Sequence, residues 1–217
     1  MIISPSRGYI FVHIPKTGGT SLTAALENMS LDDDILIGNS PKSHLKWQSN
    51  DGSGRFLWKH STLADTEWLI SPEQLQYFFT IALVRNPWDR IVSSYSYLRS
   101  QRWGVPSVQL ARSMDFSSFL NHPFVRTNTA IWNSCASYLT DPRGVEQASL
   151  YIRTEQIEAD ILPFETHLGT RLTPLERLNT SQRSSDWREY YSDADAALVA
   201  DLCRSDIERF GYGFDPV

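Results

Sequence analysis

The sequence has little of what marks several common protein classes. Among its 217 residues there are two cysteines, Cys135 and Cys203, too few for the disulfide framework of a small secreted domain. Cys203 fits the apolar stripe of the last predicted helix, so reduced core thiols are expected. Basic residues are not in excess: 20 Lys and Arg against 25 Asp and Glu give a formal charge of −5. This argues against a nucleic-acid binder, whose affinity rests on a broad basic face, and any positive potential must be local. No apolar run approaches the ~18 residues of a membrane span, and no basic leader followed by an apolar stretch opens the chain. A cytoplasmic location is the expectation. Also missing is the order G-x-x-x-x-G-K-[ST], in which a lysine follows the last glycine and a hydroxyl holds magnesium. A metal-dependent nucleotide kinase is therefore disfavoured, and no metal site is expected.

What the sequence does contain begins at Tyr9. The segment Tyr9-Ile10-Phe11-Val12-His13-Ile14-Pro15-Lys16-Thr17-Gly18-Gly19-Thr20-Ser21-Leu22 runs an apolar strand into a glycine loop that opens a helix. Gly18 and Gly19 let backbone N–H groups converge without a Cβ in the way. Thr17, Thr20 and Ser21 add hydroxyl donors, and Lys16 adds a mobile cation. The pattern is an anion cradle, with phosphate as the expected ligand. Leu22, Ala25, Leu26 and Met29 recur at helical spacing behind Thr20 or Ser21 as the cap. The alternative is a plain Gly-Gly turn with an incidental lysine.

A second segment repeats this logic. The run Phe79-Thr80-Ile81-Ala82-Leu83-Val84 is apolar almost throughout, as a strand covered on both faces should be. Asn86 as N-cap and Pro87 at the first helical position then start a helix whose buried stripe is Trp88, Ile91, Val92, Tyr95 and Leu98. Arg85 falls at the carboxyl end of a central strand, where ligands of open α/β sheets bind, and Ser93 lies about two turns along the helix. Together they suit a second phosphate. An Arg85–Asp89 ion pair and a neutral helical Ser93 are the alternatives.

Elsewhere strands and helices alternate, which predicts an α/β fold: three layers around a mainly parallel central sheet, with a P-loop-like nucleotide-binding core in a single domain over 1–217. Residues 38–54 read as a long polar loop at a substrate-facing edge, and 55–60 as a strand. Residues 63–78 read as mostly helical with an interruption near Pro72, 129–139 as one helix, and 150–152 as a strand. Asp115 caps a helix through Leu120. A helix with Ile157, Ile161, Phe164 and Leu168 breaks at Pro163. Asp193 caps a last helix striped by Leu198, Leu202, Cys203, Ile207 and Phe210 and ended by Gly211.

For proton transfer, His60 is the candidate base, since it ends the predicted strand just before the polar Ser61-Thr62 turn and imidazole accepts protons near neutrality. A strand-end histidine bonded to backbone is the alternative. His44 in the polar loop is the runner-up, and His13 is expected to order the glycine loop. Arg183 either adds a cation to the second phosphate site or is a solvated surface residue. Trp187, Tyr190 and Tyr191 either line an acceptor cleft or belong to the core. Arg99 and Arg102, with Trp103, either meet an acidic acceptor or complement the helix dipole.

The two glycine-loop and arginine segments together resemble the sulfotransferases, in particular the carbohydrate-type branch with its P-K-T-G-G-T-S loop and R-N-P-W-D-R-x-x-S-x-Y segment. Looser similarity extends through Tyr151-Ile152-Arg153-Thr154-Glu155, Leu178-Asn179-Thr180-Ser181 and Asp206-Ile207-Glu208-Arg209-Phe210-Gly211-Tyr212. The Lys59-His60-Ser61-Thr62-Leu63-Ala64 stretch is similar to the branch's Lys-His-x-Thr-Ala context, with Leu63 inserted. The resemblance implies that 3′-phosphoadenosine 5′-phosphosulfate (PAPS) is the donor. Lys16, Thr17, Gly18, Gly19, Thr20 and Ser21 would hold its 5′-phosphosulfate, and Arg85 and Ser93 its 3′-phosphate. It further implies an acceptor hydroxyl, expected on a carbohydrate, with His60 and Lys16 as catalytic groups. Charge considerations agree: sulfuryl transfer moves less charge than phosphoryl transfer, so a lysine and oriented backbone dipoles suffice at the leaving phosphate. Two other classes stay open, a non-catalytic module binding PAP (the desulfated nucleotide) and a nucleotide kinase.

Overall fold

The structure is a computed structural model that describes residues 1–49, 52–176, 178 and 183–215. Of the Leu178-to-Ser181 stretch, 179–181 lie outside the described residues. The chain divides into two compact units: Met1–Val84 with Cys135–Leu178, and Arg85–Ser134 with Asn179–Val217.

Among the described residues the first unit holds seven strands: β1 (Ile2–Ser4), β2 (Tyr9–Val12), β3 (Ile35–Leu36), β4 (Lys46–Gln48), β5 (Phe56–Trp58), β6 (Phe79–Val84) and β7 (Leu150–Arg153). Five form one sheet in the order β3-β1-β2-β6-β7, and β4 and β5 pair separately. β2, β6 and β7 run parallel, with Val12 beside Ala82 and Val84 beside Arg153. β1 is antiparallel to both of its neighbours, so the sheet is mixed, with a parallel core and an antiparallel edge. Every residue of β2 is buried, as are the last five of β6, the pattern of strands covered on both faces. One core gathers Tyr9, Phe11, Leu22, Leu26, Ile81 and Phe164, and each such side chain contributes about 1.5–3 kcal/mol by leaving water. The parallel register brings the carboxyl ends of β2, β6 and β7 to one edge, and the glycine loop leaves from that edge.

The second unit is helical. Its longest helix, Pro87–Ser100, starts as expected, with the Asn86 side chain accepting from the Trp88 N–H and Pro87 at the first position. Trp88, Ile91, Val92 and Tyr95 pack with Phe116, Phe119, Trp187, Val199 and Cys203. The indole N–H of Trp88 donates to the Ala196 carbonyl at 2.9 Å and the Tyr95 hydroxyl to that of Met114 at 2.7 Å. Both cysteines are buried, and neither is in a disulfide among the described residues.

Several expected boundaries shift. Helix Gly19–Asn28 is entered from Gly18 with no side-chain cap, so neither Thr20 nor Ser21 caps it. Part of 38–54 is not loop but β4. The strand within 55–60 is only β5, and its partner is β4 rather than the main sheet. Over 63–78 only a 3₁₀ turn, Ala64–Thr66, and the short helix Pro72–Leu75 form. Pro72 starts that helix inside a Ser71/Gln74 capping box instead of interrupting a longer one. The span 129–139 is two helices, Thr129–Trp132 and Cys135–Tyr138, and the last helix breaks at Cys203 after a cap by Ser192 rather than Asp193. Asp115 caps Phe116–Asn121 as expected.

Candidate active site

After Val12 the chain must turn from strand to helix within six residues, and two of them take left-handed backbone: Lys16 at φ 65° and Gly18 at φ 80°. Glycine adopts this freely; lysine does not. Two left-handed residues within three positions fold the loop back tightly before the helix begins. At Gly19 the constraint is space. A Cβ there would lie 2.7 Å from Nε2 of His13, so the first helical turn rests directly on that buried imidazole.

The loop is braced from within. The Thr17 hydroxyl donates to the Ile14 carbonyl at 2.9 Å. Its single proton is thus spent on the loop and is not the hydroxyl donor to an anion that the sequence suggests. Thr23 donates to the Gly19 carbonyl at 2.8 Å and lies 3.3 Å from Nδ1 of His13. With the hydroxyl proton so engaged, Nδ1 of His13 is the donor of that pair. His13 orders the loop, as expected, and burial pushes its pKa well below the ordinary imidazole value. The Ser21 hydroxyl accepts from the Leu178 N–H at 3.3 Å.

Thr154, directly after β7, has no role in the sequence reading. Its hydroxyl sits 2.6 Å from the Thr17 carbonyl and 2.8 Å from that of Val84. Its methyl group stands where a Cβ on Gly18 would approach to 3.2 Å. One side chain therefore ties the glycine loop to the end of β6 and fills the space that glycine leaves. The parallel register of three strand ends was the signal, legible only once β2, β6 and β7 are known to be neighbours.

His60 lies in the turn after β5. Its Nδ1 is 2.6 Å from the His13 carbonyl oxygen; because a carbonyl only accepts, Nδ1 carries the proton and Nε2 the lone pair. The ring stands edge-on to His13 at 5.0 Å and to Trp58 at 5.3 Å. Burial lowers its pKa to about 4, and the charges of Lys59 and Lys16 push in the same direction, against the bond to the His13 carbonyl. His60 is thus the backbone-bonded strand-end histidine raised as the alternative, and its Nε2 carries a lone pair that burial makes less basic than the ordinary imidazole assumed for proton transfer near neutrality. His44, by contrast, stands on the bridge to Ile37 with its ring edge-on to Trp47 at 5.2 Å.

In the second unit, Arg85 forms the ion pair raised as an alternative: its Nε donates to Oδ2 of Asp89 at 2.7 Å. Arg183 is not a solvated surface residue. Its guanidinium pairs with the other oxygen of Asp89, and its side chain is 9% exposed. Two guanidinium groups thus share one carboxylate. Ser93, one turn beyond Asp89 on the same face, is buried. Trp187, Tyr190 and Tyr191 belong to the core: Trp187 is buried, the two tyrosines pack against that cluster, and the Tyr191 hydroxyl donates to the Trp88 carbonyl at 2.9 Å. Arg99 donates to the Tyr95 hydroxyl at 3.0 Å.

Among the described residues no cluster of His, Cys, Asp and Glu has the arrangement of a metal site, and no helix is long and apolar enough to cross a membrane. The family model described as the sulfotransferase family matches residues 1–213, nearly the whole chain, and the protein belongs to that family. Searches of curated proteins and of solved structures returned no match.

Proposed function

We propose that the protein transfers the sulfuryl group of PAPS to a hydroxyl of a carbohydrate by in-line displacement. The family supports sulfuryl transfer in general and uses PAPS as its usual donor; the assignment to individual residues rests on the two segments and their geometry. PAPS supplies the activated S–O bond. Backbone N–H groups of 16–21, with the hydroxyls of Thr20 and Ser21, suit its 5′-phosphosulfate, and the Arg85–Asp89–Arg183 cluster with Ser93 suits its 3′-phosphate.

In the transfer, a bond forms between sulfur and the acceptor oxygen while that between sulfur and the 5′-phosphate oxygen breaks. Lys16 neutralises charge on the departing oxygen, and Nε2 of His60 takes the acceptor's proton. The observation that carries this reading is the 2.6 Å bond from His60 to the carbonyl of His13. It anchors a neutral imidazole of defined tautomer to the strand end from which the phosphate loop departs.

Thermal stabilisation is the first test. PAP should raise the melting temperature and ATP with magnesium should not; the reverse result would identify a kinase-type site. Turnover of labelled PAPS then separates the enzyme from a non-catalytic PAP-binding module.

A further inference from the structure

Beside His60 the small two-stranded sheet displays an aromatic face. On β5 the Leu57 side chain is fully buried, whereas Phe56 and Trp58, its alternating neighbours, are 43% and 47% exposed. Period-two alternation puts both rings on one side of the strand. Lys46 and Gln48 of β4 are their cross-strand partners, and the Lys46 ammonium lies 4.5 Å over the Phe56 ring. The rings open onto a groove of about 400 Å³ whose wall includes Arg55, Asp65, Glu67 and Trp68. Its floor is held in place: the Trp58 N–H donates to the Ser61 hydroxyl at 3.1 Å, and Asp65 accepts from the N–H and hydroxyl of Thr62 at 2.7 and 3.0 Å. Trp58 is also the ring that stands edge-on to His60 at 5.3 Å.

We infer that this groove is the acceptor subsite and that its occupant is an uncharged sugar chain, a conclusion that rests on the sulfuryl-transfer reading above. The volume suits a small oligosaccharide segment. A pyranose ring has an apolar C–H face that packs on an exposed indole, and its edge carries hydroxyls that need acceptors, which Asp65 and Glu67 provide. Charge narrows the choice further. With Asp65 and Glu67 balanced by Arg55 on the wall and by the Lys46 ammonium over Phe56, the groove has no cationic excess to draw a glycan that already carries carboxylates or sulfates, and an uncharged chain suits it. A simple phenol would call for an enclosed apolar slot, and a half-exposed platform with a charged wall is the wrong shape for it. Stacking on Trp58 sets the sugar on the ring that itself stands edge-on to the His60 imidazole at 5.3 Å. The reaction assigned here is therefore the sulfation of a neutral glycan.

Saturation-transfer NMR without nucleotide tests this directly, with cellotetraose, chitotetraose and maltotetraose as neutral probes, hyaluronan tetrasaccharide as the carboxylated one and 4-nitrophenol as the phenol. At least one neutral probe should bind saturably and perturb the indole signal of Trp58. Trp58→Ala should weaken that binding about tenfold, and Trp58→Phe, which keeps an aromatic face, far less. Glu67→Lys should raise the affinity for hyaluronan tetrasaccharide relative to wild type. Tighter binding of hyaluronan tetrasaccharide or 4-nitrophenol than of every neutral probe would overturn the inference. So would the absence of neutral-probe binding, or an unchanged affinity in Trp58→Ala. PAP binding, measured separately, keeps the two claims apart. A protein that binds sugar at Trp58 but not PAP retains the groove and loses the transfer reading; one that binds PAP and turns over PAPS with no sugar at Trp58 does the opposite.

Discussion

At Lys16 the backbone enters the left-handed region, φ 65°, which costs a residue bearing a Cβ roughly 1–2 kcal/mol. A glycine would relieve that strain, so lysine is there for its charge. Removing the charge should therefore be felt in binding: Lys16→Ala and Arg85→Ala are each expected to weaken PAP affinity by roughly 1.5–3 kcal/mol, the range of a charge-assisted contact. Isothermal calorimetry checks this, and unchanged affinities in both variants would dismiss the two-phosphate assignment. Ser93→Ala should show a smaller loss confined to the 3′-phosphate, seen as a narrowed difference between PAP and 5′-AMP. The Arg85–Asp89–Arg183 arrangement adds a further expectation. Asp89→Ala should leave both guanidiniums without their shared carboxylate and loosen the cluster, so PAP affinity should fall although a negative charge has been removed. A rise would mean that Asp89 only competes with the ligand.

Among the elements, the turn from β2 into helix Gly19–Asn28 depends on two contacts that can be tested separately. Gly19→Ala would drive a methyl group into the ring of His13 at 2.7 Å, and overpacking of this kind costs about 1–3 kcal/mol. It should lower both the melting temperature and PAP affinity. Thr154→Val keeps the methyl group against Gly18 but removes the hydroxyl shared by the Thr17 and Val84 carbonyls. PAP affinity should drop in this variant and recover in Thr154→Ser; equal affinity in all three proteins would reduce Thr154 to a spacer. The Gly18-Gly19 pair was legible in the sequence because a strand, two glycines and a helical stripe occur in order. Asn86-Pro87 was legible for the same reason. β1 was missed although Met1-Ile2-Ile3 before the Pro5-to-Gly8 turn is a hairpin signal, and with it the antiparallel edge of the sheet. The helix expected over 63–78 failed because Asp65 and Ser71 turn their side chains onto nearby backbone N–H groups, local bonds that compete with a continuous helix. Thr154 depends on strand neighbours far apart in the chain, which spacing alone does not reveal, whereas the aromatic groove is local to 54–68 and needs only the β4–β5 pairing to show which rings share a face.

For the molecule as a whole, a formal charge of −5 coexists with local cationic groups in each unit, Lys16 and Lys59 acting on His13 and His60 in the first and the Arg85–Arg183 pair on Asp89 in the second. Burial holds the imidazoles of His13 and His60 neutral, and that has a consequence for stability. Below pH 6.5 the unfolded chain takes up protons on these histidines that the folded protein refuses until about pH 4 for His60 and further down for His13. The stability these two histidines contribute should therefore be full above pH 6.5 and fall as the pH drops toward 4, on top of the loss from the buried Met1 amine, whose pKa is lowered from 8.0 to about 4. Between pH 6.5 and 5, above most of the carboxylate range, this slope should shrink in His60→Ala. Urea denaturation at stepped pH measures it, and an identical slope in both proteins would mean that His60 titrates normally in the folded state.

The central claim is that His60 takes the acceptor's proton during sulfuryl transfer from PAPS. Its most direct test is the rate of label transfer from PAPS into a mixture of neutral glycans, lipids and phenols, followed across pH for the wild type and His60→Ala. The wild type should label a glycan, with activity falling only as the pH approaches about 4, where the imidazole protonates. His60→Ala, with PAP affinity intact, should be slower by about 10²–10⁴-fold and lack that acidic limb. Wild-type activity retained by His60→Ala, or abolished instead by His44→Ala, would contradict the claim.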